Sequence, residues 1–241
     1  MIYTQPIVGF DRFIRYEWAE RALEIAVQRE DPKILHEWLF TQGLGPESAR
    51  RTWNCLVRLW VRPFPTIENL RVQAFQIFPT LLLKERLALH WGIAIAQFPL
   101  FQQTVKTIGL LSRLQNDLDK HEIVRRILEN YSNQTTIRRA TERILQTLHA
   151  WGILEATSPK NACRVCAPIT LTNVALIEWL FQAIVHATDK QWPLLDLLRA
   201  PEMLPFQCVD ANLVLYQSPL FSIQRDSFDI EVVELTQKTG I

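Results

Sequence analysis

Glycine is scarce in this sequence of 241 residues, which has only seven glycines, and the formal net charge is small, at +1. The glycines form no phosphate-binding loop, nucleotide-binding fingerprint or nucleophile elbow. No nucleophile, base and orienting group can be assembled from the other residues. The sequence therefore predicts no enzymatic activity, no catalytic residue and no cofactor. The near-neutral charge also excludes a global field that attracts nucleic acid, so electrostatic recognition must be local.

Long apolar runs are absent as well. A membrane-spanning helix requires about 18 consecutive apolar residues, and the most apolar stretches, at 75–83 and 92–101, are interrupted by Gln and Pro. The first residues, MIYTQPIVGFDRFIRYEW, lack the basic start, apolar run and cleavage site of a signal peptide. We therefore expect a cytoplasmic protein with no membrane partner.

Cysteine occurs four times, and the single CxxC pair, Cys163 and Cys166, has no second pair to complete a zinc site. On a strand, residues three apart point to opposite faces, which disfavours joint metal ligation or a redox pair. The acids Asp117, Asp119 and Glu122 fit a helix start, where negative charge is favourable. We expect small, partly buried thiols and no metal site.

The sequence is rich in helical periodicity. In the first half, helices are predicted at 11–29, from Pro32, from Pro46, at 66–78 and at 81–97. In the second half, helices at 101–114, 120–130 and 135–151 precede two short strands around a turn at 157–162, and a helix at 171–186 follows. Three helices followed by a hairpin are typical of a winged helix, in which the third helix meets DNA.

The predicted fold is therefore mainly α and has three regions. Residues 1–98 form a helical, bundle-like region, and residues 99–187 form a winged-helix-like region in which a helix-turn-helix is followed by a short β-hairpin. Residues 188–241 form a C-terminal extension with a short helix and one or two strands. We expect the first two regions to share an interface.

The helix predicted at 135–151 carries the sharpest pattern. One face is apolar, with Ile137, Ala140, Ile144, Leu148 and Trp151 at intervals of three and four. The opposite face carries Arg139, Glu142, Arg143 and Gln146. The hydrogen-bonding groups of Arg and Gln side chains match those on the edges of guanine and adenine. Cations near a helix N-terminus are unfavourable unless an anion such as phosphate compensates. The alternative is that Glu142 pairs with Arg138 and Arg139, and that this face is only solvated.

These patterns predict binding to double-stranded DNA. Four side chains would lie at the groove, namely Arg138, Arg139, Arg143 and Gln146. Five others would reach phosphates, namely Lys160 and Arg164 of the hairpin and Lys120, Arg125 and Arg126 of the preceding helix. A second basic stripe, Arg51, Arg58 and Arg62, would extend a phosphate track, face a protein partner or remain solvated. The competing prediction is a protein-interaction or scaffold subunit that docks through the winged helix.

Two segments also carry a family resemblance. GLGPESARRTWNCLVRLWVRPFP, at 43–65, and IRRATERILQTLHAWGILEA, at 137–156, resemble the BrxA proteins of bacterial BREX phage-defence operons. The resemblance implies a sequence-tolerant, non-enzymatic DNA-binding accessory protein in the bacterial cytoplasm, working beside other defence-system proteins. A winged-helix transcription regulator is the alternative, and homodimer formation is left open.

Overall fold

The computed structural model describes residues 8–188 and 191–236, and within them the fold is mainly α, as predicted. The α-helices are α1 (Tyr16–Gln28), α2 (Lys33–Thr41), α3 (Pro46–Leu56), α4 (Glu68–Ile77), α5 (Arg86–Gln97), α6 (Pro99–Ser112), α7 (Lys120–Leu128), α8 (Gln134–Ala150), α9 (Val174–Thr188), α10 (Leu194–Leu198) and α11 (Ala211–Gln217). The strands are β1 (Asp117–Asp119), β2 (Leu154–Ala156), β3 (Ala162–Val165), β4 (Ile169–Leu171), β5 (Trp192–Pro193), β6 (Phe206–Cys208), β7 (Phe221–Arg225) and β8 (Glu231–Leu235). A π-helix, Val57–Val61, continues α3.

The chain before α1 departs from the sequence prediction. A helix was expected from residue 11, but α1 begins at Tyr16. Phe10 and Ile14 are fully buried, and the Ile14 amide donates a hydrogen bond of 3.0 Å to Thr147 Oγ1 on α8. The expectation for residues 11–15 was wrong because contacts with a distant helix override the local helical pattern.

A continuous buried core runs through all three predicted regions. It includes Phe10, Trp91, Ile144 and Val233. Helices α5 and α9 pack closely where Gly92 faces Trp179, since a Cβ on Gly92 would lie 2.4 Å from the indole ring. The predicted interface between the helical and winged-helix-like regions is therefore a shared hydrophobic core.

The elements from α6 to β3 form a compact unit. Helices α6, α7 and α8 pack against one another, and β1, β3 and β2 form an antiparallel sheet with β3 at its centre. Cys163 of β3 lies opposite Leu118 of β1 and Ala156 of β2. Strands β2 and β3 match the predicted hairpin. Strand β1 was not predicted, because three residues with one buried side chain show too little alternation.

The chain after β3 corrects two further expectations. The stretch CRVCAPIT was expected to form one strand, but β3 ends at Val165 and β4 pairs in parallel with β6. Pro168 lies between β3 and β4 and has no amide to donate to a ladder. The helix expected at 171–186 begins at Val174. Asn173 caps it, since Asn173 Oδ1 accepts a hydrogen bond of 3.1 Å from the Leu176 amide.

The C-terminal extension contains the predicted short helix, α10, and two predicted strands, β7 and β8. Strand β8 lies between β5 and β7 in a second antiparallel sheet. Strands β5 and β6 and helix α11 were not predicted. Across residues 8–188 and 191–236, no helix is both long and apolar enough to cross a membrane.

Candidate nucleic-acid interface

Helix α8 separates apolar from polar side chains as its sequence predicts. The residues at the apolar positions are buried in the core, and they are Ile137, Ala140, Ile144, Leu145, Leu148 and Trp151 just after the helix. The polar positions are exposed, and they are Arg138, Arg139, Glu142, Arg143 and Gln146. Asn133 caps the helix, since its Oδ1 accepts a hydrogen bond of 3.4 Å from the Thr136 amide. The core therefore fixes the direction in which the polar face points.

Within residues 8–188 and 191–236, the arginines of this face have no acidic partner. Among the described residues, neither Arg138 nor Arg139 forms an ion pair or a side-chain hydrogen bond, and Glu142 forms no ion pair. Arg143 Nη1 donates a hydrogen bond of 2.7 Å to Gln146 Oε1, which joins two predicted groove residues. The pairing of Glu142 with Arg138 and Arg139, which the solvated alternative required, is thus absent.

Helix α7 differs from α8 in this respect. Glu122 Oε1 accepts hydrogen bonds from Arg125 Nη2 at 2.8 Å and from Arg126 Nε at 2.6 Å, and Arg125 also pairs with Glu129. Hydrogen bonds from Arg125 and Arg126 lower the pKa of Glu122 to about 2. Arg125 and Arg126, two of the three predicted phosphate contacts on α7, are therefore neutralised by neighbouring carboxylates.

The two predicted phosphate contacts of the hairpin, Lys160 and Arg164, differ in their surroundings. Lys160 is exposed in the turn and forms no ion pair within the described part of the chain. Arg164 of β3 pairs with Asp117 of β1 at 2.9 Å, and Glu155 of β2 lies opposite it on the other side. Lys160 is consequently better placed than Arg164 to meet a phosphate.

Lys120 begins α7 and lies close enough to α8 to act on His149. Burial, followed by the charge of Lys120, lowers the pKa of His149. Asp119 caps α7 as predicted, since its Oδ1 accepts a hydrogen bond of 2.9 Å from the His121 amide. Lys120 is half-buried, so only the end of its side chain can reach a bound anion.

The three arginines of the second basic stripe have different surroundings. Arg51 pairs with Glu47, whereas Arg58 is half-buried and has no ion pair in the described regions. Both arginines line a polar cavity of about 230 Å³ with Gly9 and Asp11. Arg62 follows the π-helix, in a non-helical conformation, and does not line this cavity. The π-helix Val57–Val61 includes Arg58 and precedes Arg62, so the three arginines do not follow one regular α-helix.

All four cysteines are free thiols that are buried or half-buried. Cys163 is buried in β3, and Cys166 is half-buried and lines an apolar cavity of about 370 Å³ with Cys208. Burial raises the pKa of the Cys163 and Cys166 thiols, so both remain protonated and weakly nucleophilic at neutral pH. No group of three or more His, Cys, Asp or Glu side chains suitable for a metal ion occurs in residues 8–188 and 191–236.

The sequence interpretation missed two residues beside α8. Phe13 borders a surface groove with Gln146, His149 and Ala150, and Arg15 lines an adjoining groove that also includes Phe13 and Ala150. Both had been assigned to a predicted helix. The cluster of Arg and aromatic residues in FDRFIRYEW was the available indication of a surface role.

No family model, curated protein or solved structure matches this chain, and the candidate interface therefore rests on the geometry of the chain's own residues.

Proposed function

We propose that this protein binds double-stranded DNA with little sequence preference and that α8 is the helix that meets the groove. One observation carries the proposal. Arg138, Arg139 and Arg143 lie on one exposed face of a rigidly packed helix, and no carboxylate neutralises them in the described residues. Three guanidinium groups and one carboxylate, Glu142, give this face a local charge of about +2, although the whole chain is nearly neutral.

The arrangement around α8 favours a winged helix. In chain order, α6, β1, α7, α8, β2 and β3 give three packed helices and a three-stranded sheet, and the β2–β3 turn forms the wing. In winged-helix proteins the third helix enters the major groove, which corresponds to α8. The turn carries Lys160, which would contact the backbone beside the groove.

The paired arginines have a secondary part in this proposal. Arg125, Arg126 and Arg164 would have to leave their carboxylate partners before binding phosphate. Exposed ion pairs are worth only about 0 to 1 kcal/mol, so such an exchange is feasible but contributes less than an unpaired arginine. Arg138, Arg139, Arg143 and Lys160 should therefore supply most of the affinity.

Replacing Arg139 and Arg143 together by alanine tests the proposal. Fluorescence anisotropy with a labelled duplex would measure affinity over a salt series. At 0.1 M salt we expect a loss of about tenfold or more, and the slope of log affinity against log salt should decrease by about 0.9 for each arginine that contacts a phosphate. The matched control replaces Arg21 and Arg225, which are ion-paired elsewhere. Unchanged affinity and slope would refute the site.

The proposed context is a BREX-like phage-defence system in the bacterial cytoplasm, where the protein would work beside other defence-system proteins. This part rests on the resemblance of segments 43–65 and 137–156 to BrxA proteins. Neighbouring genes provide the test. Defence genes beside it would support this context, whereas metabolic neighbours would favour a winged-helix transcription regulator.

A protein-docking subunit is the second candidate function, and exposed apolar side chains favour it. Leu82 and Leu83 are 60% and 66% exposed, and Val174 is 61% exposed. Asn173 Nδ2 donates a hydrogen bond of 3.3 Å to Thr80 Oγ1, which brings the two segments together. Docking alone predicts no duplex binding at moderate salt and co-purification with a partner, and size-exclusion chromatography would distinguish a homodimer.

A further inference from the structure

The segment before α1 is attached to α8 beside its polar face. Thr147 Oγ1 accepts a hydrogen bond from the Ile14 amide at 3.0 Å and donates one to the Arg143 carbonyl at 2.9 Å. Thr147 and Ile14 are fully buried. The anchor therefore lies one helical turn after Arg143, and it holds Phe13 and Arg15 at the C-terminal end of α8.

Arg15 is held in a defined position by its contact with Trp18. It is exposed, and its guanidinium carbon lies 5.3 Å from the centre of the Trp18 ring. It forms no ion pair or side-chain hydrogen bond among the residues that the structure describes. Stacking on the indole leaves the guanidinium donors available for an oxyanion. One carboxylate, that of Glu17, lines the same groove.

The length of α8 indicates which part of DNA Arg15 would meet. Arg139 and Ala150 are 11 positions apart, which corresponds to about 16 Å along an α-helix. The major groove is about 12 Å wide, so a helix that enters the groove as far as Gln146 brings its last turn toward the flanking backbone. Phosphates are therefore the DNA groups within reach of a cation at the C-terminal end of α8.

We propose that Arg15 binds a backbone phosphate of the duplex that occupies α8, so that the N-terminal helical region and the winged-helix-like unit bind DNA as one surface. This inference rests on the proposed function. It adds a contact from a part of the chain that precedes α8 by more than a hundred residues, and it assigns a role to the anchor between Ile14 and Thr147.

The test compares Arg15→Ala, Arg15→Lys and wild type by duplex anisotropy between 50 and 300 mM salt. One lost phosphate contact should reduce the slope of log affinity against log salt by about 0.9 and weaken binding about eightfold at 0.1 M. Arg15→Lys should retain most of the slope because it retains the charge. The matched control is Arg21→Ala on α1, where Arg21 is paired with Glu24 and Glu30.

The outcomes separate this inference from the proposed function. If wild type binds DNA and Arg139→Ala weakens binding while Arg15→Ala matches Arg21→Ala, the phosphate contact by Arg15 is refuted and the role of α8 stands. If wild type does not bind duplex DNA at all, both are refuted. Thermal melting of each variant checks that Arg15→Ala remains folded, so that a loss of affinity is assigned to the contact.

Discussion

Replacing Glu122 by glutamine should make the protein bind duplex DNA more tightly. Glu122 holds Arg125 and Arg126, two of the residues predicted to reach phosphates, through hydrogen bonds to both guanidinium groups. Glutamine retains the size of the side chain but loses the charge that attracts the arginines. The variant therefore releases Arg126 beside α8, weakens the hold on Arg125 and removes one negative charge from the same surface.

The magnitude follows from counterion release. Each new phosphate contact raises the slope of log affinity against log salt by about 0.9, which corresponds to about eightfold tighter binding at 0.1 M salt. Arg125 also pairs with Glu129, so only Arg126 is fully released. We therefore expect one additional contact and a gain of about eightfold.

A matched control is available on α3. Glu47 accepts hydrogen bonds from Arg50 and Arg51 at the same three- and four-residue spacing, and the pKa of Glu47 is likewise about 2. Glu47→Gln changes the net charge by the same amount in a different place. Anisotropy titrations should show a gain for Glu122→Gln that exceeds the gain for Glu47→Gln. Equal affinities for Glu122→Gln and wild type would refute the placement of α7 beside DNA.

Two further predictions concern stability and pH. Gly109→Ala on α6 should destabilise the fold by up to about 2 kcal/mol, because the new Cβ would lie 2.2 Å from the Pro201 carbonyl oxygen. Overpacking costs about 1 to 3 kcal/mol, and the gain in helix propensity offsets about 1 kcal/mol of it. Thermal melting should show a decrease of up to about 8 °C, and Gly45→Ala, with no atom within 4 Å, should lose less. The lowered pKa of His149 means that the native state binds fewer protons than the unfolded chain, so stability should fall as pH drops below 6.5. In His149→Gln, the midpoint of denaturant unfolding should change less between pH 7 and pH 5 than it does in wild type. An ordinary pKa for His149, measured by NMR titration, would contradict this prediction.

The sequence could predict α8 because local and tertiary preferences agree there. Its apolar residues repeat at helical spacing, a capping Asn133 precedes it, and the core buries the apolar face. The segment before α1 could not be predicted in the same way. Its buried residues, Phe10 and Ile14, are four apart and fit a helix, but the Ile14 amide bonds to Thr147, 133 residues away. A hydrogen bond over that separation leaves no periodic pattern in the sequence.

Two short pairings after β3, the parallel pair β4–β6 and the edge pair β5–β8, were beyond prediction for a related reason. Strand β4 has three residues, and its partner β6 lies in the C-terminal extension. Strand β5 has two residues and pairs with β8. Segments this short contain too few alternating positions to be distinguished from loops. The longer strands β7 and β8, with five residues each, were predicted.

The order of charges along each helix decides which arginines are available for an external anion. Glu47 and Glu122 precede their arginines by three and four residues, and both form the ion pairs. Glu142 follows Arg138 and Arg139 by the same intervals, and it forms none in the described residues. The observed difference agrees with the greater stability of helical pairs in which the acid is N-terminal to the base. The order is a preference, since Arg125 also reaches Glu129. Applied to α8, this preference disfavours the pairing of Glu142 with Arg138 and Arg139 from the sequence itself, and it predicts that both arginines keep their charge for an external anion.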